Sequence, residues 1–553
     1  MNRPRAVRLP LPEIACGLSV AVLTALLTVP GTLARWWLTQ DAVEHLAIAN
    51  AWVAGAGFVD PVKWIYWTDG ALPYPALSMR APAVSLLAAI PLGLGATLTT
   101  TIAMHALWAS AIAAFMVPAA RRCGLRWPAG LAATLLLATT PAWLGISLHV
   151  WTEATALFAF LLVLLTARGA VRSVPGALLC ATTTFAASLC RPNLIALGLS
   201  VIVAGAWQIG WRRAHISRPL IAYGLALSVA LLGFRLLVTL WTGEAPYSRY
   251  QSLFQVMTTA DAWQYGRSYP GLSAFVADHA AELAERTATT VVDFVRVLCL
   301  EPTYHGLGWL ALPGFVWAFA RDGEHAIERR FLALSGLGLA LVAVFYVDFD
   351  RVRFPLFTAV AANLCGFAWL DDLTRGAQRA RWATRTVWQR ALHGAPLALA
   401  CIPLFMTLPG SIDRAAAWWT TYRTHGTAER LWPEMDALIR PLCREMDPDE
   451  IVASIDPWTT HLWCGNASLM LPLDLSRKDI LESFLERERP RYIVAPADHP
   501  GLRDSRLLSP LVRRNGLVVY RVSRASGDSR PWRAPPPLAC AGRTSTCQRE
   551  VGH

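Results

Sequence analysis

The chain has 553 residues, of which 54% are hydrophobic and 16% charged, with 24 tryptophans and a formal net charge of +12. So little charge over such a length excludes an ordinary soluble enzyme. The positive charge punctuates apolar runs instead of gathering in one patch, which excludes a nucleic-acid-binding protein. Almost all of it is arginine, with lysine only at Lys63 and Lys478.

The first apolar run, Ile14 to Leu33, is twenty residues without a charge, about the length needed to cross a bilayer core of roughly 30 Å. It is too long for a signal peptide and no small-residue cleavage site follows, so it reads as a retained span. Later runs predict spans near 97–120, 128–145, 149–167, 174–190, 192–208, 219–241, 301–320, 331–347, 354–370 and 391–410, about eleven in all. Basic residues in the short connections, among them Arg3, Arg121, Arg168, Arg212, Arg329 and the Arg375 to Arg390 stretch, fall on one side if the spans alternate. The positive-inside rule makes that side the cytoplasm. The expectation is a mainly α, multi-pass protein of the cytoplasmic (inner) membrane with its N-terminus in the cytoplasm.

That orientation divides the chain into a membrane body over 1–410, with outer loops at 35–91 and 242–300, an extracytoplasmic α/β domain over 411–522, and a disordered tail over 523–553 rich in Pro, Ser, Gly and Arg. In the first loop Pro73, Pro75, Pro82 and Pro91 break any long helix, and Ala83 to Ile90 is apolar but too short to cross. In the second loop Ala280 to Val297 has an amphipathic helical pattern. Beyond 411, Glu450 to Ile455, Arg491 to Ala495 and Leu517 to Val522 predict strands. Ser476 with Asp479 predicts a helix start, and Arg506 to Arg514 a further helix ended by Gly516. Eleven cysteines are scattered without a CxxC pair; Cys443 with Cys464, and Cys540 with Cys547, are disulfide candidates if that region is extracytoplasmic.

Chemistry-bearing residues concentrate in the first outer loop. If Thr39 to Ala54 is helical, Asp41, Glu44 and His45 share one face. A carboxylate at Asp41 can take a proton from a hydroxyl or hold a divalent cation; it can equally be a helix cap, and Glu44 and His45 equally a solvated face. Arg80, before Ala81 and Pro82, stands where the chain returns to the bilayer and suits a lipid phosphate or a plain interfacial anchor. Arg191 and Arg235 lie in apolar surroundings, with Glu153 and His149 as candidate partners; function and internal salt bridge are level readings. Asp348, Asp350, Arg351 and Arg353 crowd a short loop, where Asp348 to Asp350 matches a DxD triplet on the side without nucleotides and Arg353 is another candidate phosphate ligand. No Walker A or GxGxxG loop lies between a strand and a helix.

In this order the pieces resemble the membrane glycosyltransferases of the GT-C class, particularly the bacterial branch near protein mannosyltransferases and lipid A aminoarabinose transferases. The residues that carry the resemblance are Asp41, the helix through Ala54, the turn with Gly55, Gly57, Phe58 and Pro61, then Tyr74, Pro75, Arg80, Ala81 and Pro82, and more loosely Glu153, Arg353 and Pro355. Two departures stand out: Ala42 where many relatives have a second acid, and Arg80 with Ala81 in place of Lys-Pro. The resemblance implies a polyprenyl-phosphate-linked sugar as donor, an acceptor outside the membrane and inversion at the anomeric carbon. Asp41 would be the base, Glu44 a subsidiary metal or substrate contact with His45 beside it. Arg80, with Arg191, Arg235 or Arg353 and the Glu153 region, would meet the lipid phosphate. A divalent cation remains a candidate cofactor. A transporter or flippase for a lipid-linked substrate is the rival reading, but it needs neither an acid and a cation bracketing one loop nor an outer domain.

Overall fold

The computed structural model describes residues 11–34, 38–66, 72–211, 217–249, 263–266, 272–345, 350–379, 398, 401–425, 433–499, 501–503 and 505–523. Asp348, the Cys540–Cys547 pair and the tail beyond 523 lie outside these residues, as do 391–397, 399 and 400 of the 391–410 run.

Seven helices open the chain. The first is α1 (Leu11–Ala34), followed by α2 (Gln40–Val53), α3 (Pro82–Gly93), α4 (Leu98–Arg122), α5 (Trp127–Ala138), α6 (Pro141–Leu148) and α7 (Thr152–Thr166). Their starts follow from local chemistry. Thr39, Thr97 and Thr140 cap α2, α4 and α6 by accepting from backbone N–H groups with their hydroxyls, and proline occupies the first turn of α3, α5 and α6. The predicted 128–145 span is α5 and α6, bent by 59° at Thr139 and Thr140 before Pro141. Later helices are Val174–Cys190, Ala196–Ile209, Arg218–Thr242, Ala280–Cys299, Gly308–Ala320, Ala326–Val344, Leu356–Arg379 and Ile402–His425. The amphipathic Ala280–Cys299 helix buries only Phe294, Val297 and Leu298.

Six of the described helices are long and apolar enough to cross a membrane, or seven with the bent pair counted as one span. That is fewer than the eleven expected. Pro82–Gly93, Val174–Cys190 and Gly308–Ala320 are apolar but shorter. The packing is close where glycines face each other: a Cβ on Gly314 would meet the backbone N of Gly366 at 2.6 Å, so the Gly308–Ala320 and Leu356–Arg379 helices touch main chain to main chain. The Ile402–His425 helix runs through Ser411, where the sequence placed a domain start.

A six-stranded sheet lies beyond the helices, built from β2 (Val62–Lys63), β4 (Val452–Ser454), β5 (Ser468–Met470), β6 (Tyr492–Pro496), β7 (Leu508–Arg514) and β8 (Leu517–Val522) in the order β2-β5-β4-β6-β8-β7. The first four strands run parallel, with the Pro457–Cys464 and Lys478–Glu488 helices as crossovers, and the last two form an antiparallel hairpin. A separate small pair joins β1 (Val59–Asp60) to β3 (Tyr74–Pro75).

The helix expected over Arg506 to Arg514 is therefore strand β7. Asn515 and Gly516 both take positive φ, 50° and 81°, the conformation of the tight Asn-Gly turn that joins two strands. Pro510 is tolerated because β7 is an edge strand with a register shift between Pro510 and Val512. The Lys478–Glu488 helix is as expected, although Ser476 makes no cap contact and Arg477 is the capping position. Cys443 and Cys464 are joined in a disulfide.

The edge strand β2 comes from the first loop, not from the C-terminal segment. Val62 aligns with Ser468 and Lys63 with Leu469, and the buried Lys63 ammonium reaches both oxygens of Glu488 at 2.8 Å. One apolar core runs from Leu38, Val43 and Leu46 through Val452, Leu462 and Ile493, so loop and sheet fold as one body.

Candidate active site

Every residue of the site sits at a helix end or in the turn just outside one. Asp41 is in the first turn of α2, whose cap is Thr39 and not Asp41 itself. Glu44 follows one turn later. The turn after α2 needs Gly55 and Gly57, at φ 81° and 97°, to send the chain back through β1 and β3 so that Arg80 arrives opposite the acids. Glu153 lies in the first turn of α7, and Arg191 caps the end of the Val174–Cys190 helix. Arg353 is presented by a turn before Leu356 in which the Asp350 carboxylate accepts from the N–H groups of Val352 and Arg353 at 2.8 and 3.1 Å.

These residues form one alternating chain of acids and arginines. Arg80 donates from Nε to Glu44 at 2.6 Å and from NH1 to Asp41 at 2.9 Å, and its NH2 also meets Glu44. Arg353 donates to the other Asp41 oxygen at 2.5 Å and to Glu153 at 2.8 Å. Arg191 closes the chain on Glu153. With all three acids ionised, three carboxylates and three guanidiniums sum to zero charge, the condition under which so many ions can be withdrawn from water. Aromatic faces complete the setting: Arg353 lies over Trp151 at 4.8 Å and Arg191 over Phe354 at 5.4 Å. Trp151 is itself fixed by donating to the Thr39 hydroxyl at 2.6 Å.

Exposure separates the acids. The side chains of Glu44 and Glu153 are 0% exposed and that of Asp41 is 27%, so Asp41 is the carboxylate within reach of a ligand. Electrostatics separates them further. Burial alone would raise Asp41, but Arg80 and Arg353 outweigh it and hold the carboxyl well below the usual range. Burial pushes Glu44 up to about 8 against the pull of Arg80, helped by Asp60 and Asp41. Two carboxylates one turn apart are therefore driven to opposite protonation tendencies.

Two further expectations come out differently. His45 is 2% exposed and pairs through Nδ1 with the Ser85 hydroxyl at 3.1 Å, joining α2 to α3. Burial, then Arg80, pushes it down to about 3, so it stays neutral within the wall of the site. Arg235 is exposed on the outer face of the Arg218–Thr242 helix and takes part in none of these ion pairs. Its place on the exposed face of that helix keeps it apart from the cluster.

Two residues were missed by sequence reasoning. Asp60 is fully buried, accepts from Val62 N–H and Tyr74 O–H at 3.0 Å each, and is pushed by burial up to about 6. An acid placed between the Gly-rich turn and Pro61 was the available signal. Trp458 donates from its indole to Glu44 at 2.8 Å, and nothing local marks it. Among the described residues no three His, Cys, Asp or Glu side chains converge as a metal-binding group.

No protein-family model matches this chain, and no curated protein matches it by sequence. Solved structures do. ArnT from Cupriavidus metallidurans bound to undecaprenyl phosphate superposes with a TM-score of 0.51 at 13% identity, over 93% of this chain and 98% of that one. Its apo state gives 0.50 at 14% identity, over 92% and 97%. The arabinofuranosyltransferase AftD from Mycobacteria gives 0.50 at 13% identity, over 96% of this chain but 41% of its own length. At such identities the likeness is one of fold: over nearly its whole length this chain has the GT-C membrane fold that its first loop resembles.

Proposed function

We propose that the chain is a membrane glycosyltransferase that moves a sugar from a polyprenyl-phosphate-linked donor to an acceptor hydroxyl outside the cytoplasmic membrane, with inversion. The observation that carries this is the most exposed acid of the cluster, Asp41, held between two arginines whose side-chain hydrogen bonds, among the described residues, all go to carboxylates. The undecaprenyl phosphate in the similar ArnT structure supports the class of donor.

Asp41 accepts the proton of the acceptor hydroxyl as its oxygen attacks the anomeric carbon from the face opposite the phosphate. The bond from that carbon to the phosphate oxygen breaks, and the electron pair leaves with the polyprenyl phosphate. Arg80 and Arg353 stabilise the charge that develops there, with Arg191 behind Glu153. The resting ion pairs make Asp41 a poor base. A phosphate that draws Arg80 and Arg353 toward itself restores its basicity, so base and donor arrive together. Asp41 acts without a metal step in this sequence of events, and Glu44 orients Arg80.

The test is transfer of radiolabelled sugar from defined polyprenyl-phosphate donors in proteoliposomes. Asp41→Asn, which keeps the shape and loses the base, should lower turnover by about 10² to 10⁴. Full turnover by a folded Asp41→Asn protein overturns the mechanism. Translocation of the intact donor without sugar transfer by the wild type points to a flippase.

A further inference from the structure

The Glu44 carboxyl has two oxygens, and the structure uses each for a different body of the protein. Oε2 faces Arg80 Nε at 2.6 Å within the first loop. Oε1 accepts the Trp458 indole N–H at 2.8 Å across 414 residues of sequence. Trp458 is 3% exposed, and its ring packs 6.2 Å from that of Trp64, the residue after β2. The short Pro457–Cys464 helix that carries it is pinned at both ends. Asp456 caps it, accepting from Thr459 N–H and O–H at 3.0 and 2.7 Å, and Cys464 at its last residue is tied to Cys443. So elaborate a mounting fixes where the indole N–H points.

We infer that Trp458 is a positioning residue for the transfer reaction: by holding Oε1 it sets the rotation of the Glu44 carboxyl and keeps Oε2 on Arg80, making the C-terminal sheet a working part of the catalytic centre. The same Arg80 holds Asp41, so a carboxyl free to rotate loosens the hold on the base. Without the N–H, Oε1 is left buried with no donor, and the ionised carboxyl loses a charge-assisted hydrogen bond. The charged and titratable groups facing Glu44 are Arg80, Asp60 and Tyr74 from the first loop and Asp41 from its own helix. His461, also on the Trp458 helix, is turned away onto the Asn466 carbonyl.

The inference rests on the transferase reading, and the test separates the two. Trp458→Phe keeps the aromatic packing and removes the donor. Turnover should fall about tenfold, the size of one hydrogen bond to a charged group, with donor KM within about twofold because the phosphate contacts remain. The acid limb of the pH profile should move up by about one unit, since a bond to the ionised form holds a carboxyl pKa down. Infrared titration of the Glu44 carboxyl, identified by its loss in Glu44→Gln, reads the same shift with no substrate present. Adding Trp458→Phe to Glu44→Gln should cost no further activity. A Glu44 band that titrates alike in wild type and Trp458→Phe overturns the role of Trp458 whether or not sugar is transferred. Additive losses in the double variant overturn it as well. Absence of any transfer by the wild type overturns the transferase reading, and the infrared shift still decides the contact.

Discussion

Both ends of the helix bundle carry dense ionic clusters, and they are built to different purposes. The run from Thr152 to Arg172 joins them, with Glu153 at one end and Arg168 fifteen residues, roughly 22 Å, away. At the Arg168 end three arginines finish a helix and others pair with carboxylates. Arg329 donates to the Cys123 carbonyl at 2.9 Å, Arg121 to Leu125 at 2.7 Å and Arg375 to Gly124 at 2.5 Å, all just past the end of α4 where carbonyls lack helical partners. Arg168 grips Glu328 with two bonds of 2.6 and 3.0 Å, and Asp371 binds both Arg126 and Arg375. At the Asp41 end, among the described residues, the side chains of Arg80, Arg191 and Arg353 donate only to carboxylates. A guanidinium that closes a helix cannot be lent to a ligand without opening the helix; one that rests on a carboxylate can exchange it for a phosphate, whose oxygens accept the same paired N–H bonds.

The sharpest way to break this contrast is to remove one arginine from each end. Arg80→Ala should lower sugar transfer by about 10³ or more, because it takes away both the phosphate contact and the partner of Glu44. Arg168→Ala should instead destabilise the protein, by less than the roughly 3–5 kcal/mol of a fully stranded buried charge because Glu328 keeps Arg122 at 3.2 Å, while the folded fraction turns over within about twofold of wild type. Thermal unfolding in detergent beside proteoliposome activity reads both, and a large specific-activity loss in Arg168→Ala would erase the distinction.

A smaller effect concerns pH. His45 has a folded value of about 3 against an ordinary 6.5, so the folded protein refuses a proton that the unfolded chain accepts. The stability this contributes is present above pH 6.5 and is lost as pH falls toward 3. His45→Gln, whose amide can still meet Ser85, should lose less of its unfolding temperature on acidification than the wild type does. The smallest effect is expected at Arg235. Arg235→Ala should stay within about 0.5 kcal/mol in stability and leave transfer unchanged; a tenfold loss would bring Arg235 back into the site.

The first loop was legible because its signals are local. The run from Thr39 to Ala54 suited a helix, the glycines marked the turn after it, and Arg80 before Ala81 and Pro82 marked the point where the chain returns to the bilayer. The alternation of Asp41, Arg353 and Glu153 was not, since it joins residues 312 and 200 apart. Arg191 was placed by the rule that a charge in apolar surroundings needs a partner, and Glu153 is that partner. The same rule misled at Arg235, because depth along a helix says nothing of which face a residue occupies. For β7 the helical reading of Arg506 to Arg514 outweighed an Asn-Gly turn that was in plain view. Trp458 carries no local mark at all.

The edge strand β2 also bears on when the protein becomes whole. Lys63 meets Glu488 425 residues later, and at ribosomal speeds of about 5–20 residues per second that partner emerges some 20–85 s after it. Through that interval the loop bearing Asp41 and Arg80 has neither its neighbouring strand nor the indole that orients Glu44. The candidate site is thus finished last, and on the proposed function a nascent chain transfers no sugar until its C-terminal sheet clasps the loop that left the ribosome before it.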